Sequence, residues 1–125
     1  MKKEKDAIKH LTDEKSKVSS HYFIKNNGEI LSLVPDLYIA WHAGVSSFQN
    51  KDNCNDFSIG IELEGSEDDI FEDIQYEKLS QITSLLMQEY TDINKENIKG
   101  HSDVAPGRKT DPGNLFDWDR YLSNV

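Results

Sequence analysis

Apolar and polar residues alternate most strictly over residues 57–64, where Phe57, Ile59, Ile61 and Leu63 interleave with Ser58, Gly60, Glu62 and Glu64. A period of two predicts a strand with one core face and one face carrying two carboxylates. Upstream, His21-Tyr22-Phe23-Ile24-Lys25 and Glu29-Ile30-Leu31-Ser32-Leu33-Val34 flank Asn26-Asn27-Gly28. That arrangement predicts a β-hairpin with positive φ at Asn27-Gly28, ended by Pro35-Asp36. From 74 to about 90 the period becomes helical, with Leu79, Ile82, Leu86 and Tyr90 as the apolar stripe. A shorter stripe of Ala7, Ile8 and Leu11 predicts a frayed helix in the first 17 residues. Residues 46–56 read as a polar loop, 97–99 as a short strand, and 102–114 as irregular, since two prolines and two glycines fall there. Phe116 to Leu122 predicts a closing helix, with Asn114 or Asp117 near its N-terminus. Strands and helices in mixed order around one core place the chain in the α/β or α+β class.

Composition narrows the function. At 125 residues the chain is one domain, 1–125, and 14 basic against 23 acidic residues leave a net charge of −9. Phosphate contacts dominate generic nucleic-acid affinity, so such a chain is expected to bind neither DNA nor RNA, nor an anionic membrane surface. The longest apolar run, Leu37 to Trp41, is far short of a membrane span. Lys2, Lys3 and Lys5 are followed by Asp6, Lys9 and His10 where a secretion signal would be apolar, so the expectation is a cytoplasmic protein. Cys54 stands alone and forms no internal disulfide. Glu67, Asp68, Asp69, Glu72 and Asp73 make an acidic loop that reads as a solvated surface.

Candidate chemistry concentrates in Gly100–Gly113. Pro112 disfavours helix at Asp111, so Lys109-Thr110-Asp111 is expected to be extended, with Lys109 and Asp111 on one side. His101 and Asp111 could ligate zinc beside a Lys109 cation. The plainer alternative is an Asp-capped turn, a surface lysine and a histidine bonded to the backbone. Glu62 sits mid-strand with Glu64 two residues on, and two close carboxylates can raise one pKa for general-base work. A charged solvent face is the competing reading. Trp41-His42-Ala43-Gly44 puts an aromatic plate beside a histidine, suited either to stacking on a sugar or to simple burial. A Cys54–His42 nucleophile and base can be drawn, against a structural buried cysteine.

Four segments occur in order: Val18-Ser19-Ser20-His21-Tyr22-Phe23-Ile24, Ala40-Trp41-His42-Ala43-Gly44, Asn55 to Gly65, and Gly100 to Gly113. With Phe116-Asp117-Trp118 they resemble the type 2 N-acetylmuramoyl-L-alanine amidases, in the AmpD-like branch that acts on 1,6-anhydro-muropeptides in the cytoplasm during cell-wall recycling. The resemblance runs from about residue 18 to the C-terminus. It implies a mixed sheet flanked by helices, the fold shared with peptidoglycan-recognition proteins, and a zinc hydrolase acting on muropeptides. It further implies that His101 and Asp111 are zinc ligands, Glu62 the general base and Lys109 the oxyanion-stabilising cation, with Trp41 and Arg108 contacting substrate. The family's first zinc ligand lies on a strand preceding every segment matched here, and His10, His21 and His42 do not occupy its motif. The resemblance therefore implies an N-terminally incomplete domain. It would be either an amidase or an inactive muropeptide-binding remnant.

Overall fold

A computed structural model of the chain describes residues 19–66 and 68–125. The helix expected in the first 17 residues, and His10 within it, lie outside the described residues. Strands β1 (Tyr22–Ile24) and β2 (Ile30–Ser32) form the expected hairpin, antiparallel with Phe23 opposite Leu31. Its turn departs from expectation in one respect: Gly28 alone has positive φ, at 89°, while Asn27 accepts the Glu29 N–H through its side chain. Residues 46–56, expected as a loop, contain a second small hairpin. Here β3 (Ser47–Phe48) and β4 (Lys51–Asp52) pair through Gln49 and Asn50, both at positive φ, and a 3₁₀ turn at Cys54–Asp56 follows. Only Phe48 in those strands is both apolar and half-buried, so the hairpin leaves no alternating pattern.

The long alternating segment pairs over a shorter stretch than its pattern suggests. Strand β5 (Ile61–Leu63) lies parallel to β1, giving sheet order β2-β1-β5 with Tyr22 opposite Ile61 and Phe23 opposite Glu62. The parity is as expected. Ile61 and Leu63, with Ile59, pack against the core, and Glu62 turns to the other face beside Phe23.

Helix α1 (Asp73–Glu89) covers the core face with Tyr76, Leu79, Ile82 and Leu86. Gln75, fully buried in its first turn, joins helix to sheet. Its Oε1 accepts the Glu72 N–H, and its Nε2 donates to the carbonyls of Ile24 and Glu64. Where a strand was expected at 97–99, a 3₁₀ turn occupies Lys95–Asn97. Asn94 Oδ1 accepts the N–H groups of Glu96 and Asn97, so local side-chain bonds override the short apolar cue. The segment expected to be irregular holds one helical turn, α2 (His101–Val104), closed by Asp103 Oδ2 accepting the Gly100 N–H. Helix α3 (Trp118–Ser123) begins at Asp117, whose Oδ1 accepts the Arg120 N–H. Among the described residues, no helix is long and apolar enough to cross a membrane.

Phe116 is the centre of the core. Its ring stacks on Tyr76 at 5.3 Å and meets Phe71, Trp118 and Tyr121 edge-on at 4.9 to 5.9 Å. On the opposite side of the sheet the packing is polar. His21 is fully buried: its Nδ1 accepts the Gly60 N–H at 3.0 Å and its Nε2 donates to the Tyr38 carbonyl at 2.7 Å. His42 lies edge-on to it at 5.6 Å, against Gly60, where a Cβ would meet the His42 ring at 2.4 Å. His42 Nδ1 donates to the Ala40 carbonyl, and its Nε2 lies 2.8 Å from Ser58 Oγ. Ser58 Oγ is also 2.6 Å from the Cys54 carbonyl, so its one proton serves either acceptor. Both His42 nitrogens are thus committed, and Cys54 is a buried structural thiol rather than half of a dyad.

Two expectations follow. Replacing Phe116 by Ala should cost about 3–5 kcal/mol in urea unfolding, whereas the same change at half-exposed Leu115 should cost under about 1 kcal/mol; similar losses at both would remove Phe116 from the centre of the core. Burial, then the neighbouring His21 and His101 charges, lower the His42 pKa to about 4 against the Ala40 bond. The unfolded ring, with its ordinary pKa of 6.5, binds a proton first as pH falls. Stability linked to His42 should therefore be lost from about 6.5 down to about 4, amounting to roughly 3 kcal/mol. An NMR titration of the His42 ring should give a midpoint near 4; an ordinary imidazole midpoint would mean a solvated ring.

Candidate active site

Three segments bring the candidate side chains together. Glu62 projects from the centre of β5, His101 opens α2, and Asp111 follows the turn after it. That turn is set by bonds from the N–H groups of Arg108 and Lys109 to the Ala105 carbonyl, and a cis peptide bond joins Asp111 to Pro112. The Ser102 N–H donates to the Asp111 carbonyl at 3.0 Å, tying the first turn of α2 to the residue nine positions on.

His101 Nδ1 lies 3.3 Å from Asp111 Oδ2, while His101 Nε2 donates to the Ala43 carbonyl at 2.8 Å. Both ring nitrogens thus face acceptors, and the doubly protonated ring donates to each. When a cation replaces the Nδ1 proton, the bond from Nε2–H to a carbonyl is the kind that orients metal-ligating histidines. Two atoms each about 2.0–2.1 Å from a tetrahedral zinc stand about 3.3–3.4 Å apart. The pair therefore fits two corners of a zinc site. Among the described residues no third His, Cys, Asp or Glu joins them.

The charges of this cluster are interlocked. The Asp111 hydrogen bond raises the His101 pKa against partial burial. Burial would raise Asp111, but its bond to His101 and the His101 and Lys109 charges bring it below the ordinary value. Glu62 is pushed up, first by desolvation and then by the Asp111 charge, with His101 and Lys109 opposing. The carboxylate that perturbs Glu62 is thus Asp111 and not Glu64, as the spacing suggested. Glu64 instead accepts the Asn26 N–H at 2.8 Å and fastens the hairpin turn.

Trp41 lies on the loop 40–45, and Arg108 docks on the same loop through the Ala43 and Val45 carbonyls. Trp41 is 45% exposed, with its backbone paired to Ser19 on both N–H and carbonyl. The Arg108 guanidinium donates to the Ala43 carbonyl at 2.6 Å and to the Val45 carbonyl through Nη2 and Nε. Gly44, at φ 63°, lets that guanidinium approach, since a Cβ there would lie 2.8 Å from Nη2. The Ala43 carbonyl therefore serves both His101 and Arg108. A main-chain oxygen carries no residue-type signal, so sequence reasoning did not find it.

The N-acetylmuramoyl-L-alanine amidase family profile matches residues 1–114. The 1,6-anhydro-N-acetylmuramyl-L-alanine amidase AmpD of Haemophilus influenzae is 52% identical over 109 residues, covering 87% of this chain and 59% of that protein. AmpD of Escherichia coli is 52% identical over 105 residues, covering 84% and 57%. A crystal structure of an AmpD selenomethionine derivative superimposes with a TM-score of 0.83 at 50% identity, covering 86% of this chain and 60% of that one. E. coli AmiD in complex with anhydro-N-acetylmuramic acid-L-Ala-D-γ-Glu-L-Lys gives 0.86 at 37% identity, covering 96% and 52%. The chain thus spans under two thirds of the curated relatives' length. In sequence, and in its β2-β1-β5 sheet backed by α1, this chain is a member of the N-acetylmuramoyl-L-alanine amidase family.

Proposed function

We propose that this domain hydrolyses the amide joining the lactyl group of N-acetylmuramic acid, in its 1,6-anhydro form, to L-alanine of muropeptides, as a step of cytoplasmic cell-wall recycling. The observation that carries the reading is the facing His101 Nδ1 and Asp111 Oδ2 beside a desolvated Glu62. The names of the relatives and the muropeptide held by AmiD supply the substrate class. His101 and Asp111 would hold zinc with a third ligand from outside the described residues. Bound zinc supplies Lewis acidity, acidifying water to a pKa of about 7 and polarising an amide carbonyl.

The remaining work falls to this chain's side chains. The Glu62 carboxylate takes a proton from the attacking water and returns it to the departing L-alanine nitrogen; its raised pKa makes it a stronger base than a solvated carboxylate. The Lys109 ammonium balances negative charge growing on the carbonyl oxygen. The exposed Trp41 ring offers a plate for the sugar. Arg108, docked on the same loop, adds positive charge for the carboxylates of the stem peptide.

Zinc per chain and release of L-alanyl peptide from anhydro-muropeptide test the reading together, with His101→Ala as the control. Muropeptide binding without turnover or zinc would favour a recognition domain instead. Glu62→Ala should cut turnover by about 10²–10⁴-fold with zinc content unchanged, and loss of zinc in that variant would count against the general-base role. Lys109→Ala should lower kcat about 10²–10³-fold, and an unchanged kcat would remove Lys109 from the mechanism.

Glu62 also bears on stability. With its folded pKa above the unfolded one, the folded state holds the extra proton, so stability falls as pH rises through that window. In metal-free protein Glu62→Gln should therefore raise the melting temperature, increasingly so above the ordinary carboxylate range. A variant no more stable than the parent at any pH would mean that Glu62 is solvated.

A further inference from the structure

Behind His101 stands a side chain that the proposed chemistry does not use. Asn55 lies in the 3₁₀ turn Cys54–Asp56, and its Oδ1 accepts two successive backbone N–H groups, from His42 at 3.0 Å and from Ala43 at 2.7 Å. Ala43 is the residue whose carbonyl receives the His101 Nε2 proton. The turn carrying Asn55 is itself held. The Cys54 N–H donates to Ser46 Oγ, and that hydroxyl donates to the Gly44 carbonyl. The 3₁₀ turn thus grips the loop on both sides of the carbonyl that fixes the imidazole.

We propose that Asn55 is a positioning residue for the His101–Asp111 pair, acting through the Ala43 peptide; the metal part of this inference rests on the zinc reading above. Its acceptor holds Ala43 so that the carbonyl meets His101 Nε2–H, which leaves Nδ1 as the nitrogen that gives up its proton beside Asp111 when a cation binds. If Ala43 rotates away, Nε2–H loses its acceptor. The competing tautomer, with its proton on Nδ1 and bonded to Asp111 Oδ2, gains by comparison. That proton would stand where a cation must sit, so metal affinity falls although neither ligand has changed.

Long-range ¹H–¹⁵N spectra of the His101 ring in metal-free protein, taken where the ring is neutral, read the tautomer directly. The parent should hold a larger share of Nε2–H than any variant that loses the Asn55 acceptor. Asn55→Leu should move the ring toward Nδ1–H or a mixture and weaken zinc binding about 10–100-fold. Asn55→Asp keeps the acceptor and should restore both readings. Asn55→Ser withdraws the acceptor without adding apolar bulk and gives the same test if the Leu variant does not fold. Thr83→Val, which removes the buried hydroxyl bonded to Tyr121, should lower stability while leaving the His101 tautomer unchanged. A parent-like tautomer and zinc affinity in the Leu or Ser variant would overturn the proposal. If the parent binds no zinc, the metal reading fails, and the tautomer comparison still decides the role of Asn55.

Discussion

His21 has no exposed surface, and the bonds it makes lock the entry of β1 against Gly60 and the Tyr38 carbonyl. Its own N–H also donates to the Gly60 carbonyl at 3.0 Å, so Gly60 is held through both its N–H and its oxygen immediately before β5. The parallel register of β1 and β5 starts from this point. Because side chains alternate between faces, a slip of one residue would send Glu62 into the aromatic core and bring Ile61 and Leu63 to the cluster of charges. Leaving the Gly60 N–H unsatisfied in a buried setting would cost about 1–3 kcal/mol. The histidine therefore sets which face of the sheet carries Glu62.

On that face the molecule accepts unfavourable electrostatics that a purely structural sheet would avoid. Two carboxylates, Glu62 and Asp111, act on each other in a site where burial strengthens charge interactions, with His101 and Lys109 as the opposing cations. The core side supplies compensating stability through Phe116 and the four rings around it, and through Gln75, whose side chain makes three bonds to backbone. The sheet separates the two regions, one an aromatic core, the other the charged cluster beside buried Phe23.

How far the sequence could be read depended on whether side chains or main chain carried the information. The alternation over 57–64 reports the two faces of β5 correctly, because burial selects apolar residues at every second position. It overstates the strand's length, since Gly60 bonds to His21 and packs on His42, and Phe57 stays 43% exposed. The stripe of α1 is legible for the same reason, and Pro112 signals the non-helical backbone at Asp111. The meeting of His101 and Asp111 was expected from residue types and from resemblance. Other features left no such trace. The β3–β4 hairpin buries too little to impose a pattern, Asn94 and its neighbours favour a local turn over the strand expected there, and the Ala43 carbonyl would look the same with almost any side chain. Asn55 opens one of the segments that carry the resemblance, but its bond to the Ala43 N–H spans twelve residues and leaves no local pattern.

The two tryptophans fall on opposite sides of this division. Trp118 packs half-buried against Phe116 and Tyr121, at 4.9 and 6.0 Å between rings, while Trp41 is 45% exposed on the loop that supplies the Ala43 carbonyl. Their indole fluorescence is accordingly expected to separate in wavelength, with bluer emission from half-buried Trp118 and redder emission from exposed Trp41. The chain so carries two intrinsic optical reporters, one for the integrity of the core and one for the loop that supplies the Ala43 carbonyl, and neither requires a label.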